Sequence, residues 1–242
     1  MSITLVKEII FDRIRVDVFR GHNALAVYIA IADHSSTLNA SPFSQAMGTI
    51  QGHALDAFIL CMCRLYEKPN QKYPNYSIPT TIALLEDNLS GLSSGIQNYV
   101  HFLQFIQTHI DPNFDLYDQD NISDIPTLIL NHFSEKCPRT PPRDEKRLDR
   151  ALDDLKYLRN KYVAHHEREA TDLSSPRGID IDESRSLLAF AQTYVNLVGY
   201  GFFGSSAEGE VDADKFDPNK SVIWPELHRM IGVLKQASEH VP

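Results

Sequence analysis

The sequence predicts an all-α fold, a multi-helix bundle. Three observations carry this. Apolar residues recur at helical spacing along most of the chain. No stretch alternates convincingly with period 2, and there is no internal repeat. Glycine is scarce, 11 in 242 residues, against a usual share of about 7%, which is lean for folds built on glycine-rich phosphate loops.

Residues 3–34 carry apolar positions at helical spacing, with a break expected near Gly21. Ser41 and Pro42 open a second helix over 43–67 with two apolar stripes, Ile50, Ala54, Phe58, Cys61, Leu65 and Leu55, Ile59, Met62, Tyr66. A helix apolar on most sides is surrounded by neighbours, so this one is central. Lys68-Pro69-Asn70 ends it and 69–76 is a loop. A short helix over 78–88 has Pro79 in its first turn. The next, 92–110, aligns Ile96, Val100, Leu103, Ile106 and Ile110. An acidic, Asn-rich connection (111–123) leads to a short helix over 124–135, then to Pro138, Pro141 and Pro142. A long helix spans 143–167 and 171–181 is a loop. The helix over 182–203 turns Leu187, Leu188, Ala191, Tyr194, Val195, Val198 and Phe202 inward. The acidic segment 205–217 reads as a solvated loop, and a last helix spans 219–239. These make one domain over 1–242, its core about 10–203 with the C-terminal helix packed on it.

Composition sets limits on function. The apolar fraction of 43% supports a true core. A net charge of −9 makes a poor non-specific binder of polyanions. Three cysteines cannot make a paired disulfide framework, and Cys61-x-Cys63 lacks the C-x-x-C spacing of zinc or redox sites; free thiols in a reducing cytosol are expected. No basic leader precedes an apolar run at the start. The longest apolar run, Ala24 to Ala32, falls short of the roughly 20 residues of a membrane span. The expectation is a soluble cytoplasmic protein with no membrane partner.

Several motifs fail on context. Gly91-Leu92-Ser93-Ser94-Gly95 matches G-x-S-x-G, but a nucleophile elbow needs a strand before it, and Ile82 to Leu89 is helical in pattern. Asp111, Asn113 and Asp115 have the first ligand spacings of a calcium loop, yet Leu116 replaces its glycine and Ile122 its final glutamate. There is no H-E-x-x-H and no Walker loop. No metal or cofactor is expected.

The long helix is less ordinary. On an ideal wheel Leu148, Leu152, Leu155 and Tyr162 form a buried stripe, and Arg159 falls inside it, about 20° from Leu148. An unpaired buried guanidinium costs several kcal/mol. Either a carboxylate from another helix, such as Glu67, pairs with Arg159, or the stripe faces a second chain. His166 shares the face of Arg159, and His165 lies on the flank, about 120° from Arg159.

Arg159-Asn160-Lys161-Tyr162-Val163-Ala164-His165 resembles the R-x(4–6)-H signature of the HEPN superfamily. The wider string from Leu155 to Glu167 is similar to its abortive-infection U-type branch, as is an early central helix carrying Arg64-Leu65-Tyr66-Glu67, where the branch prefers Asp at the last position. The resemblance covers about residues 10–200. It implies a HEPN-like bundle dimerising through the motif helix, and a metal-independent endoribonuclease of a toxin–antitoxin or phage-defence system. Arg159 and His165 would be catalytic at a cleft between two protomers, with Asn160, Lys161 and His166 supporting them. Its partners would be an RNA substrate and an antitoxin or regulatory protein. The residue types suit the chemistry: histidine as acid or base near neutral pH, arginine as a bidentate cation for a phosphorane. The competing reading is a non-catalytic HEPN-type scaffold that binds protein, nucleotide or RNA.

The charge then divides. Residues 136–168 hold ten Lys and Arg against six Asp and Glu in an otherwise acidic chain. Arg147, Arg150 and Lys156 are the expected RNA contacts, although mixed charges on a helix also make an ordinary solvated face.

Overall fold

The computed structural model describes residues 3–70, 72, 75–89, 99–114, 119–140, 142, 146–164, 179–203, 229, 232 and 233. Every regular element among them is helical. The first is α1 (Ile3–Ile9), which passes through a π-helical turn, Ile10–Ile14, into α2 (Arg15–Asp33). After it come α3 (Ser35–Asn39), α4 (Ser44–Leu65), α5 (Ile78–Glu86), α6 (Tyr99–His109) and α7 (Gln119–Lys136). Then α8 (Arg147–Leu158) runs into a π-helical segment, Arg159–Ala164. Finally α9 (Ile181–Tyr194) continues as a π-helical segment, Val195–Tyr200, and a last turn, Gly201–Phe203. The all-α bundle expected from the periodicity is what the chain forms.

The frame is the antiparallel pair α2 and α4. Arg64 meets Asp17, Met62 and Cys61 approach Gly21, and the Gln51 amide donates to the Tyr28 carbonyl at 3.2 Å. As the position on one helix rises, its partner's falls. The break expected at Gly21 is absent and α2 runs through it. A Cβ at this position would lie 2.9 Å from both Leu188 Cδ2 and Met62 Cε. The glycine is there for close packing of three helices, not to interrupt one. The irregularity in this region is the π turn at Ile10–Ile14, which packs against another π segment, Val195–Tyr200.

Helix α4 is central, as its two apolar stripes predicted. Phe58, Ile59, Cys61, Met62, Cys63, Leu65 and Tyr66 are buried. By length and composition alone α4 could cross a membrane, with a mean hydropathy of 1.2 over its most apolar stretch. Its apolar side chains pack on α2, α8 and α9 instead. Ile50, at its other end, is 43% exposed because the neighbouring helices do not reach it.

Helix starts obey local chemistry. Ser77 caps α5, accepting from the Thr80 N–H at 3.3 Å, with Pro79 in the first turn. Asp180 caps α9, accepting from the Asp182 and Glu183 N–H groups at 2.9 and 3.0 Å. Asp182 and Glu183 add negative charge at the positive helix end. Helix α7 begins earlier than expected and holds Pro126 in its interior at the loss of one backbone hydrogen bond. Burial of Ile125, Ile129, Leu130 and Phe133 outweighs that loss. Asp111 accepts from the Asn113 N–H at 2.9 Å, a local turn after α6.

Outside the described residues lie Gly91 to Gly95, Asp115 and Leu116, positions 165–178 with His165 and His166, the segment 205–217, and most of 219–239. Of that last expected helix, Arg229, Gly232 and Val233 are helical and exposed.

Candidate functional site

The motif helix α8 keeps its predicted stripe: Leu152 and Leu155 are buried, and Leu148 and Leu158 half-buried against the core. The single long helix expected over 143–167 is instead α-helical only to Leu158. The Arg159 N–H is shared between the carbonyls of Leu155 and Lys156, and the next turn is π-helical. A helix closed by i→i+5 bonds advances each residue by less than an α-helix does, so ideal-wheel angles beyond Arg159 do not hold. Single π turns of this kind recur at functional sites.

Arg159 is half-buried, not enclosed in the stripe. A long side chain can lay its stem along apolar neighbours while its head stays wet. The Arg159 Nε and Nη2 donate to Asn160 Oδ1 at 3.1 and 2.9 Å. The expected partner Glu67 does not form this pair, and among the described residues no carboxylate does. The acceptor is a neutral amide, so among the described residues no anion compensates the guanidinium charge.

One turn earlier, Lys156 turns inward. Its Nζ donates to Thr140 Oγ1 at 2.8 Å and to the Tyr66 carbonyl at 3.4 Å, at the C-terminal end of α4. Burial pushes its pKa down; the thiol of Cys63 and then Glu67 oppose this, while Arg159 and Lys68 add to it. Cys63 lies beneath the two cations. Burial raises its thiol to about 11 although Arg159 and Lys156 pull the other way, so it stays protonated at neutral pH. Lys161 donates to the Tyr157 hydroxyl at 3.0 Å, at the edge of that ring. Asn160 is exposed.

The structure therefore brings Lys156, Arg159, Asn160 and Lys161 together at one end of the motif helix. It does not bring Arg147 or Arg150 to them. Arg147 begins the helix, about 18 Å away along the axis, and pairs with Glu183 of α9 at 2.8 Å. Arg150 is exposed between the two ends. His165 and His166 lie beyond the described residues, so neither is placed.

Sequence reasoning missed Thr140, Cys63 and the Tyr66 carbonyl as surroundings of Lys156, since nothing in a Pro-rich connection marks one threonine as an acceptor. It also missed a cleft of about 430 Å³ that Glu67 shares with Arg13, Arg20, Tyr76 and the Arg64–Asp17 pair. Arg64 grips Asp17 through Nε at 3.0 Å and Nη2 at 2.7 Å. Among the described residues no three of His, Cys, Asp and Glu gather as a metal site would require.

The sequence model of the family described as AbiU2, a HEPN family, matches residues 24–218. No curated protein and no solved structure matches the chain. The matched span contains Arg64 to Glu67 on α4, the whole of α8 with its Arg159-to-His165 motif, and α9. With an all-α bundle built around those helices, the chain belongs to the AbiU2 family of abortive-infection HEPN proteins.

Proposed function

We propose that the chain is a metal-independent endoribonuclease, the effector of a toxin–antitoxin or phage-defence system, acting on RNA as a homodimer. The observation that carries this reading is the state of its two motif-helix cations. Arg159 is held by the Asn160 amide and Lys156 by a hydroxyl and a carbonyl, all neutral acceptors. Among the described residues their charge is oriented but not cancelled by a hydrogen-bonded carboxylate, as a site for developing phosphorane charge requires. Partial burial strengthens what such a cation does to an anion.

In this reaction the RNA supplies its own nucleophile. A histidine, His165 with His166 as the alternative, takes the 2′-hydroxyl proton as the 2′-oxygen bonds to phosphorus. The bond from phosphorus to the 5′-oxygen breaks, and that oxygen receives a proton. The products are a 2′,3′-cyclic phosphate and a 5′-hydroxyl end. Arg159 would contact the non-bridging oxygens through its planar fork, with Lys156 behind it. Two chains meeting at the motif helix would set one Arg–His pair against another. Tyr157, 37% exposed beside the motif, gives that face an apolar element for such contact.

The test is cleavage of total RNA in EDTA, together with growth on expression. Wild type is expected to leave 2′,3′-cyclic ends and arrest growth. Arg159→Ala should lose on the order of 10²–10³ in rate, and His165→Ala on the order of 10²–10⁴. A dead His166→Ala beside an active His165→Ala moves the base by one residue. An inert wild type, or Arg159→Ala cleaving like wild type, refutes the reading. A strict monomer by light scattering refutes the cleft.

A further inference from the structure

A cavity of about 560 Å³ opens at the opposite end of the motif helix, where α6, α7, α9 and the start of α8 converge. That is within the size range of small-ligand pockets. Its floor is aromatic. The Phe105 ring stacks parallel to Phe133 at 5.9 Å between centroids, and Phe190 meets Phe133 edge-on at 5.5 Å. His132 sets its edge to Phe105 at 5.1 Å, and His109 lies 4.7 Å from the same ring. The His132 imidazole has a pKa below the usual histidine value, through burial first and then Lys136 and His109, so at neutral pH it is a flat neutral ring.

The mouth is cationic. Lys136 at the end of α7 and Lys146 at the N-cap of α8 are both exposed at the rim, with Arg147 beside them. Arg147 is committed to Glu183, whereas Lys146 Nζ donates to a neutral acceptor, the Glu135 carbonyl, at 3.3 Å. Among the described lining residues the one carboxylate, Asp149, is 1% exposed and accepts from the Arg139 N–H at 3.0 Å. The rim is also the positive end of the twelve-residue helix α8, and the Lys146 side chain makes no capping bond there. An aromatic floor under a rim of lysines is unusual in a chain of net charge −9. Its complement is a flat heteroaromatic ring carrying an anion at one edge.

We propose that this cavity is a subsite for one unpaired nucleotide of a single-stranded RNA, its base against the half-buried Phe105 ring, which the buried Phe133 backs, and its phosphate at Lys136 and Lys146. The inference deepens the ribonuclease reading and rests on it for the identity of the strand. Aromatic stacking with backbone cations is how single strands are held without strong sequence preference. Arg159 lies about 18 Å along α8 from Arg147, which is about five stacked nucleotides at 3.4 Å each. The cavity would then hold the strand at a fixed distance from the cleaved bond and select for unpaired RNA.

The test is fluorescence anisotropy of a labelled twelve-nucleotide RNA on the full chain carrying Arg159→Ala, so that binding is read without cleavage. Adding Phe105→Ala should weaken binding by about 5- to 150-fold, the range for one lost base stack. Lys136→Ala with Lys146→Ala alters two exposed residues and leaves the fold alone. It should make the salt dependence of log affinity shallower by about 0.7 per lysine. AMP should compete, and ribose 5-phosphate at the same concentration should not. Unchanged affinity in both variants overturns the proposal, as does an RNA that does not bind the Arg159→Ala chain. Equal competition by ribose 5-phosphate also overturns it, because the site is then an anion patch without a base pocket. An inert wild type in the EDTA cleavage assay with intact Phe105-dependent binding would refute the enzyme and leave the subsite standing.

Discussion

Replacing Asp149 tests how the motif helix is held in register with the site. Asp149 is the third residue of α8 and almost fully buried. Its carboxylate accepts the Arg139 N–H at 3.0 Å, and the next residue, Thr140, accepts from Lys156 at 2.8 Å beside Arg159. One buried anion therefore ties the Cys137–Thr140 strap to the first turn of α8, and the strap in turn holds Lys156 two turns on. Asp149→Ala removes a charged hydrogen bond worth about 1.5–3 kcal/mol and leaves a backbone N–H without its acceptor. It also removes about 0.3–1 kcal/mol of favourable charge at the helix start. The expected loss is about 2–4 kcal/mol. For a chain of this size that is a fall in Tm of about 4–16 °C. Thermal unfolding followed by circular dichroism at neutral pH reads it directly. Asp149→Asn keeps an acceptor and should lose about half as much. A Tm within about 1 °C of wild type for Asp149→Ala would show that the carboxylate does not anchor the strap, and the coupling between strap and site would fail with it.

Gly201→Ala would place a methyl against the Phe102 ring; overpacking of this kind costs about 1–3 kcal/mol, and equal or raised stability in urea unfolding would contradict the packing. His132 should make stability pH-dependent. Its folded pKa lies below the ordinary value of 6.5, so the unfolded chain protonates first as pH falls. Stability should be full above 6.5 and drop as pH descends from there toward the lowered folded value; His132→Gln should flatten that part of a Tm-against-pH profile, and an unchanged slope would assign it to other groups. Arg64→Gln breaks the pair with Asp17, but Arg64 is half-exposed, so the expected cost is only about 0–1 kcal/mol; a loss above about 2 kcal/mol in denaturant unfolding would mean that the pair is structural.

Much of the fold was legible because burial imposes a period. All seven residues expected to face inward on α9 and its extension, from Leu187 to Phe202, are buried. So are Leu152 and Leu155 on α8 and most of both stripes on α4. Where the pattern misled, tertiary packing decided. Gly21 carries the local signal of a helix break, yet the same missing side chain is what lets α2 approach Met62 and Leu188. The acidic, Asn-rich segment before α7 argued for a later helix start, and the buried face of α7 outweighed it. The π turns had no visible signature, because one widened turn shifts the phase of the residues after it without changing which of them are apolar. The motif marks a candidate site along the chain, but the acceptor of its arginine is a neighbouring amide and that of Lys156 lies at the end of α4, and helical periodicity encodes neither.

The charge of the motif segment takes on a different meaning once the helices are placed. Ten basic residues over 136–168 first read as one cationic helix in an acidic chain. Most of those among the described residues are divided. Lys156, Arg159 and Lys161 gather at the π-helical end, while Lys136, Lys146 and Arg147 gather about 18 Å away at the α-helical start. Between them along the helix stand the exposed Arg150 and the half-buried Asp153 and Asp154. A single continuous patch would bind a duplex or any polyanion by charge alone, with a steep salt dependence and little selectivity. Two separated clusters, one beside an aromatic cavity and one at the motif arginine, instead favour a ligand that spans both and can splay a base. Within an acidic body that repels bulk polyanion, this division favours a short unpaired strand over duplex, and duplex RNA binding as tightly as the single strand at equal salt would contradict it.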